Sequence, residues 1–285
     1  FGTDNYSEHL QPVLDHLKDP IHTIERDKGW RHFVNKEIFP IDPKHIGDSL
    51  AILPNVFLHT LGGGLLYRKD ADWFEAHGFP APYPTSGVLA MISEVLGEAI
   101  EKPTSEDTDE IADVYLFRPL GIWLYSDDER ARWIRKNLDP VAWPYLLMWD
   151  VDDHEFTNTG MSYVLRPPLF STPTTRFFSY LGMTSLFGLS HRVSDEDSWS
   201  WGVGAATVTV EPVDLRPSGG LFYDRDGSLL ASVIFNGAEN LAVRVNVYPG
   251  VLFDWRCELG VFMGVQDDGD ATLGVEWRLP IGVAR

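Results

Sequence analysis

Basic residues, cysteine and long apolar runs are all scarce in this chain, and each scarcity excludes a class of protein. Lysine and arginine together number 23 against 42 acidic residues, which gives a formal net charge of −19. Nucleic acid is therefore excluded as a partner, because phosphate contacts need clustered positive charge. The single cysteine, Cys257, excludes an internal disulfide and a cysteine-rich metal site. No run of about eighteen apolar residues occurs, so the sequence predicts no transmembrane helix.

Common nucleotide-binding and catalytic motifs are missing as well. The run Gly62-Gly63-Gly64 lacks a following Lys-Ser/Thr, so it is not a phosphate-binding loop, and we expect it to let helices pack closely. No Gly-x-Ser-x-Gly sequence occurs. Acidic clusters at 150–155, 195–198 and 266–270 lack the full ligand spacing of an EF-hand. These acidic loops could still bind Ca²⁺, and the sequence indicates no other cofactor.

Strict alternation marks the second half of the chain. Within 251–265 and 271–284, every second residue is apolar, and charged side chains fall between them at Asp254, Arg256, Glu258, Glu276 and Arg278. A period of two predicts strands with one apolar and one charged face. In a water-soluble sheet the apolar face packs on a core, whereas in a membrane barrel it meets lipid and the charged face lines the lumen.

The turns between these strands predict how they connect. Short turns such as "DRDGS" and "NGAEN" join about nine strand segments, and short turns link only antiparallel neighbours, so we predict an up-and-down meander. Several segments reach the roughly nine to eleven residues that cross a bilayer as a tilted strand. We therefore predict, over residues 140–285, an outer-membrane β-barrel of about eight to twelve strands. Its lumen would hold a charge network of Arg244, Asp254, Arg256, Glu258, Glu276 and Arg278.

One alternative to the barrel stays open at this point. A water-soluble antiparallel sheet, with one face covered by helices, would show the same alternation. The final residues "GVAR" favour this alternative, because they lack the terminal aromatic residue often found on outer-membrane barrels.

Residues 1–139 show helical spacing instead, which predicts an N-terminal region that plugs or caps the barrel. Within it, Glu94, Glu98 and Glu101 follow i, i+4 and i+7, so they share one helix face. That face could contact water, pair with an arginine such as Arg68, or bind a divalent cation, and water is the favoured interpretation. His59 lies on an apolar helix face and is predicted to be a hydrogen-bonded core residue. His59, Arg68, Glu94 and Glu98 are the candidate catalytic residues.

Three short motifs between Asn55 and Tyr125 resemble one family pattern. The quoted matches are "GGGLLYR" with Gly63, Tyr67 and Arg68, "SEVLGE" with Glu94, Gly97 and Glu98, and "KPTSEDTDEIAD" with Pro103 and Asp109. Ser93 stands where the family pattern has Trp, and its Asn-Asp pair is missing. The chain thereby resembles an uncharacterised family of Gram-negative envelope proteins, the DUF3943 type. The resemblance implies a helical entry region followed by an outer-membrane-type barrel, and it names no catalytic residue.

These features together predict a structural, adaptor or assembly protein of the Gram-negative outer membrane. The chain begins at Phe1 without a signal-peptide pattern, which predicts an exported protein in its mature form. Its expected partners are membrane lipids or lipopolysaccharide and other envelope proteins. Two alternatives stay open, a membrane-embedded lipid-modifying enzyme and a soluble periplasmic binding protein with a β-sheet cup. An enzyme is the less favoured interpretation.

Overall fold

The structure is a computed structural model that describes most of the chain. The described residues are 6–27, 29–39, 54–101, 108–143, 147–150, 155–158, 162–169, 171–210, 213–237, 241–251, 259–267 and 269–277. They belong to two compact units, a helical unit of residues 1–142 with 149–158, and a sheet unit of residues 143–148 with 159–285. Each unit is described separately below.

Helices fill the described part of the chain up to Leu138. The α-helices are α1 (Tyr6–Lys18), α2 (Pro20–Asp27), α3 (Trp30–Phe33), α4 (Gly63–Ala76), α5 (Pro82–Glu101), α6 (Asp109–Ala112), α7 (Arg118–Ser126) and α8 (Asp128–Leu138). Three π-helical turns interrupt them, π1 (Val34–Ile38), π2 (Leu58–Gly62) and π3 (Asp113–Phe117). Residues 54–57 are also helical and lead into π2 without a break. Helices ahead of the strands are confirmed, and the role of this region as a plug or cap stays a prediction.

Close backbone packing joins α4 to α7. A Cβ atom added to Gly64 would lie 2.6 Å from the carbonyl oxygen of Gly121, and one added to Gly63 would overlap the guanidinium of Arg118. Neither glycine has a positive φ. At Gly64 the obstacle is a backbone atom, so space rather than backbone conformation requires glycine there, as the Gly62-Gly63-Gly64 run predicts. Beside this contact, Tyr67, Tyr125 and Ile134 form a buried apolar cluster.

Helix α5 buries the acidic face that was predicted to contact water and exposes its apolar stripe. Glu94 and Glu98 are buried, so the prediction that this acidic face contacts water is wrong for both residues. Val88, Ile92 and Leu96, which form an apolar stripe on the same helix, are exposed instead. For Glu94 the physical reason is that its carboxylate finds hydrogen-bond donors on His59 and Arg118 inside the helical unit.

Strands follow from Val141 onward. They are β1 (Val141–Trp143), β2 (Leu147–Asp150), β3 (Glu155–Asn158), β4 (Ser162–Leu165), β5 (Thr175–Leu181), β6 (Thr184–Arg192), β7 (Asp197–Val210), β8 (Val213–Arg225), β9 (Ser228–Phe235), β10 (Leu241–Val247), β11 (Leu259–Gln266) and β12 (Ala271–Trp277). Ten of these form one sheet in the order β1-β4-β5-β6-β7-β8-β9-β10-β11-β12, while β2 and β3 pair separately. From β4 to β12 each strand lies beside the next one in sequence, which confirms the predicted antiparallel meander.

Tight turns set the register of this meander. Between β8 and β9, Asp226 and Gly227 both have positive φ, at 48° and 78°. Positive φ at both central residues belongs to a type I′ turn, whose twist matches that of the flanking strands. This is the "DRDGS" turn of the sequence.

Most of the predicted lumen charges cannot be located. Asp254, Arg256, Glu258 and Arg278 lie outside the described residues, and of Glu276 only the backbone in β12 is described. Arg244 is described and is buried on β10. The charge network as a whole therefore stays a prediction.

Candidate functional site

The candidate site of the helical unit is built on two of its π turns. His59 lies in π2, and Asp113 is the first residue of π3. These turns face α5, which carries Glu94 and Glu98, and they precede helices whose first residues are Gly63 and Arg118. A π turn closes its hydrogen bond over one more residue than an α-helix and often marks a functional position. We call His59, Glu94, Glu98, Asp113 and Arg118 the buried polar cluster.

Glu94 is the central carboxylate of this cluster. Its Oε1 lies 2.5 Å from His59 Nδ1, and its Oε2 accepts a hydrogen bond from Arg118 Nε at 2.6 Å. Arg118 Nη2 also donates to Oε2. Glu94 thus orients the imidazole of His59 through one carboxylate oxygen. Arg118 neutralises the charge of Glu94 at the other oxygen. Because Glu94 is a carboxylate here, Nδ1 of His59 donates the hydrogen bond.

Asp113 lies near the other ring nitrogen of His59, and Glu98 lies close to both residues. Asp113 Oδ2 is 3.8 Å from His59 Nε2 and accepts a hydrogen bond from Asn55 Nδ2 at 3.1 Å. One carboxylate oxygen of Asp113, one of Glu98 and one ring nitrogen of His59 all lie within 4.8 Å of one another. This is the one such group of potential metal ligands among the described residues. Three helical segments therefore bring three ligand atoms to one point.

The pKa values of Glu94 and Asp113 are shifted in opposite directions. Burial raises the pKa of Glu94, but its hydrogen bond to His59 and the charges of His59 and Arg118 outweigh burial, so the net pKa lies below its ordinary value. For Asp113 burial prevails, and its pKa rises well above the ordinary value. The neighbouring Asp109 and Glu94 raise it further, while His59 and Asn55 lower it. The surroundings therefore favour the charged form of Glu94, whereas burial disfavours the charged form of Asp113.

Arg68 does not join this cluster. Its Nε donates to Asp72 at 2.8 Å and its Nη1 pairs with Asp128 at 2.7 Å. Both aspartates are more than half exposed, so Arg68 makes surface ion pairs. Of the four candidate catalytic residues, the structure brings His59, Glu94 and Glu98 together and leaves Arg68 outside, where Arg118 takes the role predicted for it as partner of the acidic helix.

Sequence reasoning missed Asn55, Asp113 and Arg118 as members of the site. The spacing of Asn55 and His59 at i, i+4 could have shown that they share a helix face. No local signal connects either residue with Asp113, 58 positions from Asn55. Arg118 stands beside Pro119 in a stretch with both helix and strand character, so its direction could not be predicted.

A second buried histidine–carboxylate pair lies elsewhere in the helical unit. His16 Nδ1 on α1 is 2.5 Å from Glu110 Oε1 on α6, and both side chains are buried. Neither belongs to the group of potential metal ligands. The pair therefore joins two helices without gathering further ligand atoms.

The sheet unit has a polar buried face. Arg166 Nη2 donates to Asp224 Oδ1 at 2.5 Å, and both side chains are buried. On β10, Arg244 Nε donates to Asn246 Oδ1 at 3.0 Å, and Asn246 Nδ2 donates to Tyr248 Oη at 3.1 Å. This face also holds an aromatic cluster of Trp143, Phe178, Tyr180 and Phe222.

The opposite face of the sheet is apolar. Strand register aligns one row of side chains across β5 to β12, namely Phe177, Leu189, Trp201, Leu221, Val233, Val245, Met263 and Leu273. We call this the apolar row. Half of its members are exposed, with Leu273 at 75%. The adjacent row on the buried face is Arg176, Ser190, Ser200, Phe222, Ser232, Asn246, Phe262 and Gly274.

Comparison with known proteins assigns no family. No family model, no curated protein and no solved structure matches the chain. None of the helices within the described residues combines the length and the apolar character needed to cross a bilayer. The resemblance to the DUF3943-type family stays a prediction, and the function has to be inferred from the two faces of the sheet and from the buried polar cluster.

Proposed function

We propose that the chain is an outer-membrane β-barrel protein of the Gram-negative envelope, with a structural, adaptor or assembly role. In this proposal the meander closes into a barrel, the apolar row contacts lipid, and the buried polar face lines the lumen. Membrane lipids or lipopolysaccharide would be its surroundings, and other envelope proteins its partners. The proposal also keeps the chain within the DUF3943-type family that its motifs resemble.

The reversed polarity of the sheet is the observation that carries the proposal. A sheet folded in water buries its apolar face and exposes its polar face. Here Ser190 and Ser200 are buried and hydrogen-bonded to each other at 2.9 Å, while the neighbouring Trp199 and Trp201 are exposed. Transmembrane barrels have this arrangement, with apolar residues outward and polar residues inward along each strand.

The extent of the apolar surface supports the same environment. Exposed apolar side chains include Phe187, Trp199, Trp201, Val203, Leu221, Phe235, Met263, Val265, Leu273 and Val275 on β6 to β12. Scattered apolar residues are ordinary on soluble proteins, but a contiguous surface of this kind marks contact with lipid or with another protein. Because the row crosses eight strands without a charged side chain, lipid is the contact that we propose.

An arginine placed in the apolar row tests the proposal. Leu221→Arg would carry a charge into hydrocarbon, at a cost of about 2–4 kcal/mol near the bilayer midplane. In a soluble protein the same exposed position would tolerate arginine within about 0.5 kcal/mol. Ser228→Arg, at the exposed start of β9 beside the tight turn, is the matched control. The full chain, unfolded in urea, is diluted into phosphatidylcholine vesicles, and folding is followed by the gel mobility of unheated against boiled protein.

The expected result is a heat-dependent mobility shift for the unchanged chain and for Ser228→Arg, with much reduced insertion for Leu221→Arg. Fractionation of the native cells should recover the protein with outer membranes. Recovery in the soluble fraction, no heat-dependent shift, or equal insertion of the two arginine variants would contradict the proposal.

A second candidate, a membrane-embedded lipid-modifying enzyme, is favoured by the buried polar cluster. General acid–base chemistry needs a histidine or carboxylate held in a defined orientation, and Glu94 with Arg118 supplies this for His59. Glu98→Ala separates the candidates. Loss of hydrolysis products from phospholipid or lipopolysaccharide vesicles, measured by mass spectrometry with folding intact, would support the enzyme. Loss of folding alone, or absence of products with the unchanged chain, would support the structural role.

A further inference from the structure

We propose that His59, Glu98 and Asp113 form a binding site for one divalent transition-metal ion, such as Zn²⁺ or Mn²⁺. The three residues come from π2, α5 and π3, so the ion would join three helical segments of one compact unit. Nothing in the proposal depends on the sheet or on the membrane. If the metal site is refuted, the proposal of a barrel is unaffected. If the barrel is refuted, the proposal of a metal site is unaffected.

The separations between ligand atoms suit a single ion. Zinc binds histidine nitrogen and carboxylate oxygen at about 2.0–2.2 Å, so two atoms on one ion lie at most about 4.2 Å apart. His59 Nε2 and Asp113 Oδ2 are 3.8 Å apart, which is within that limit. The whole set, including Glu98, lies within 4.8 Å, so only a small side-chain rotation is needed to bring the third ligand onto the same ion.

An unsatisfied oxygen is the independent sign of a missing ligand. Asp113 is 1% exposed, and its Oδ1 has no hydrogen-bond partner among the described residues. Burying a carboxylate oxygen without a partner costs free energy that folded proteins ordinarily avoid by pairing or by metal coordination. Oδ2 of the same carboxylate is already placed by Asn55 and faces His59. A cation between these residues would satisfy the carboxylate that the protein leaves incompletely paired.

The imidazole of His59 has the support that metal-binding histidines require. Such a histidine almost always donates its other ring N–H to a carboxylate, which fixes the tautomer and the ring orientation. Glu94 accepts from Nδ1 at 2.5 Å, and Arg118 holds Glu94 in place. Nε2, the other ring nitrogen, lies 3.8 Å from Asp113 Oδ2. Glu94 and Arg118 would thus be positioning residues, with no contact of their own to the ion.

The ligand types indicate the class of metal. Imidazole nitrogen suits zinc, iron, copper and nickel, and carboxylates suit manganese and magnesium, so a mixed set favours a first-row transition ion over Ca²⁺. Structural zinc sites use four protein ligands, whereas sites with three leave a position for water. One histidine and two carboxylates would leave such a position open. The proposed site would therefore be suited to bind water or a substrate oxygen as well.

Direct titration of the full chain tests the proposal. The protein is stripped with a chelator in detergent, and Zn²⁺ and Mn²⁺ are added separately during isothermal titration calorimetry. We expect one equivalent of at least one of these ions to bind, with a rise in Tm. His59→Ala, Glu98→Gln and Asp113→Asn each remove a ligand of the ion. Each should weaken binding by at least about 10–100-fold, which is the loss caused by removing a residue that only hydrogen-bonds to a ligand. Glu94→Gln should weaken it within that range.

Matched variants separate loss of the site from loss of folding. His16→Ala removes a buried histidine that also contacts a carboxylate at 2.5 Å, and Glu75→Gln removes an exposed carboxylate from α4. Both should bind the ion with unchanged affinity. The glutamine and asparagine variants keep side-chain shape, and circular dichroism verifies their helices. If the unchanged chain binds neither ion and its Tm does not rise, or if the three ligand variants bind as the controls do, the proposal is overturned.

Discussion

Removing Arg118 measures how strongly the buried polar cluster depends on balanced charge. Glu94 is 3% exposed and receives Arg118 through both Nε and Nη2. Arg118→Met keeps the aliphatic bulk of the side chain and removes both contacts, so Glu94 keeps only its hydrogen bond to His59. Removing one partner of a buried ion pair costs about 3–5 kcal/mol, because an uncompensated charge stays buried. We expect the free energy of unfolding of the helical unit to fall by that amount.

Arg68→Met is the matched control for this substitution. Arg68 also contacts two carboxylate side chains, but those of Asp72 and Asp128 are 53% and 65% exposed. Exposed pairs contribute about 0–1 kcal/mol because water screens them. The same chemical change should therefore cost several-fold less at this position.

Urea unfolding in the presence of a chelator, followed by native-state hydrogen exchange of the helices, provides the measurement. Adding Glu94→Gln to Arg118→Met should recover most of the loss, because glutamine carries no charge and still reaches His59. A loss below about 1 kcal/mol for Arg118→Met, the range of exposed pairs, would refute the reasoning. Equal losses for Arg118→Met and Arg68→Met, or no recovery in the double variant, would refute it as well.

Three further predictions concern packing and capping in the helical unit. Gly64→Ala should lower the free energy of unfolding by about 1–3 kcal/mol, since its methyl group would collide with Gly121. Gly87→Ala, in a helix interior with 3.9 Å to its nearest neighbour, should raise it by about 0.5–1 kcal/mol. Asp127 accepts from the backbone N–H of Arg130 at the start of α8, which holds its pKa below the ordinary value. The cap's stabilisation is therefore complete above that ordinary value and is lost as the pH falls through the lowered pKa. Asp127→Asn keeps a capping side chain, so acid unfolding monitored by circular dichroism should lose this pH dependence.

The sheet could be predicted from the sequence because its signals are local. Alternation distinguishes the two faces of a strand within a few residues, and Asp226-Gly227 selects its turn type without help from distant residues. On β7, Trp199 and Trp201 accordingly lie on the exposed face and Ser200 lies on the buried face. Which face meets water is a different matter, since alternation is the same in a soluble and a membrane sheet.

The helical unit was harder to predict because its decisive contacts are long-range. A carboxylate on an amphipathic helix ordinarily faces water, and only the arrival of His59 and Arg118 makes burial of Glu94 favourable. The π turns add a second difficulty. Each one inserts a residue into a helical turn and rotates everything after it, so spacing rules for a regular helix fail beyond His59 and Asp113.

The apolar row also has a consequence for the order of events during folding. Its members run from Phe177 to Leu273, one from each of eight strands. A single unpaired strand therefore contributes one member of the row and has no apolar surface that extends across neighbouring strands. The surface comes into existence only when the hydrogen-bond ladders align. In the proposed membrane role, affinity for lipid or detergent would therefore be acquired cooperatively, together with strand pairing, and no single peptide cut from the chain would carry it.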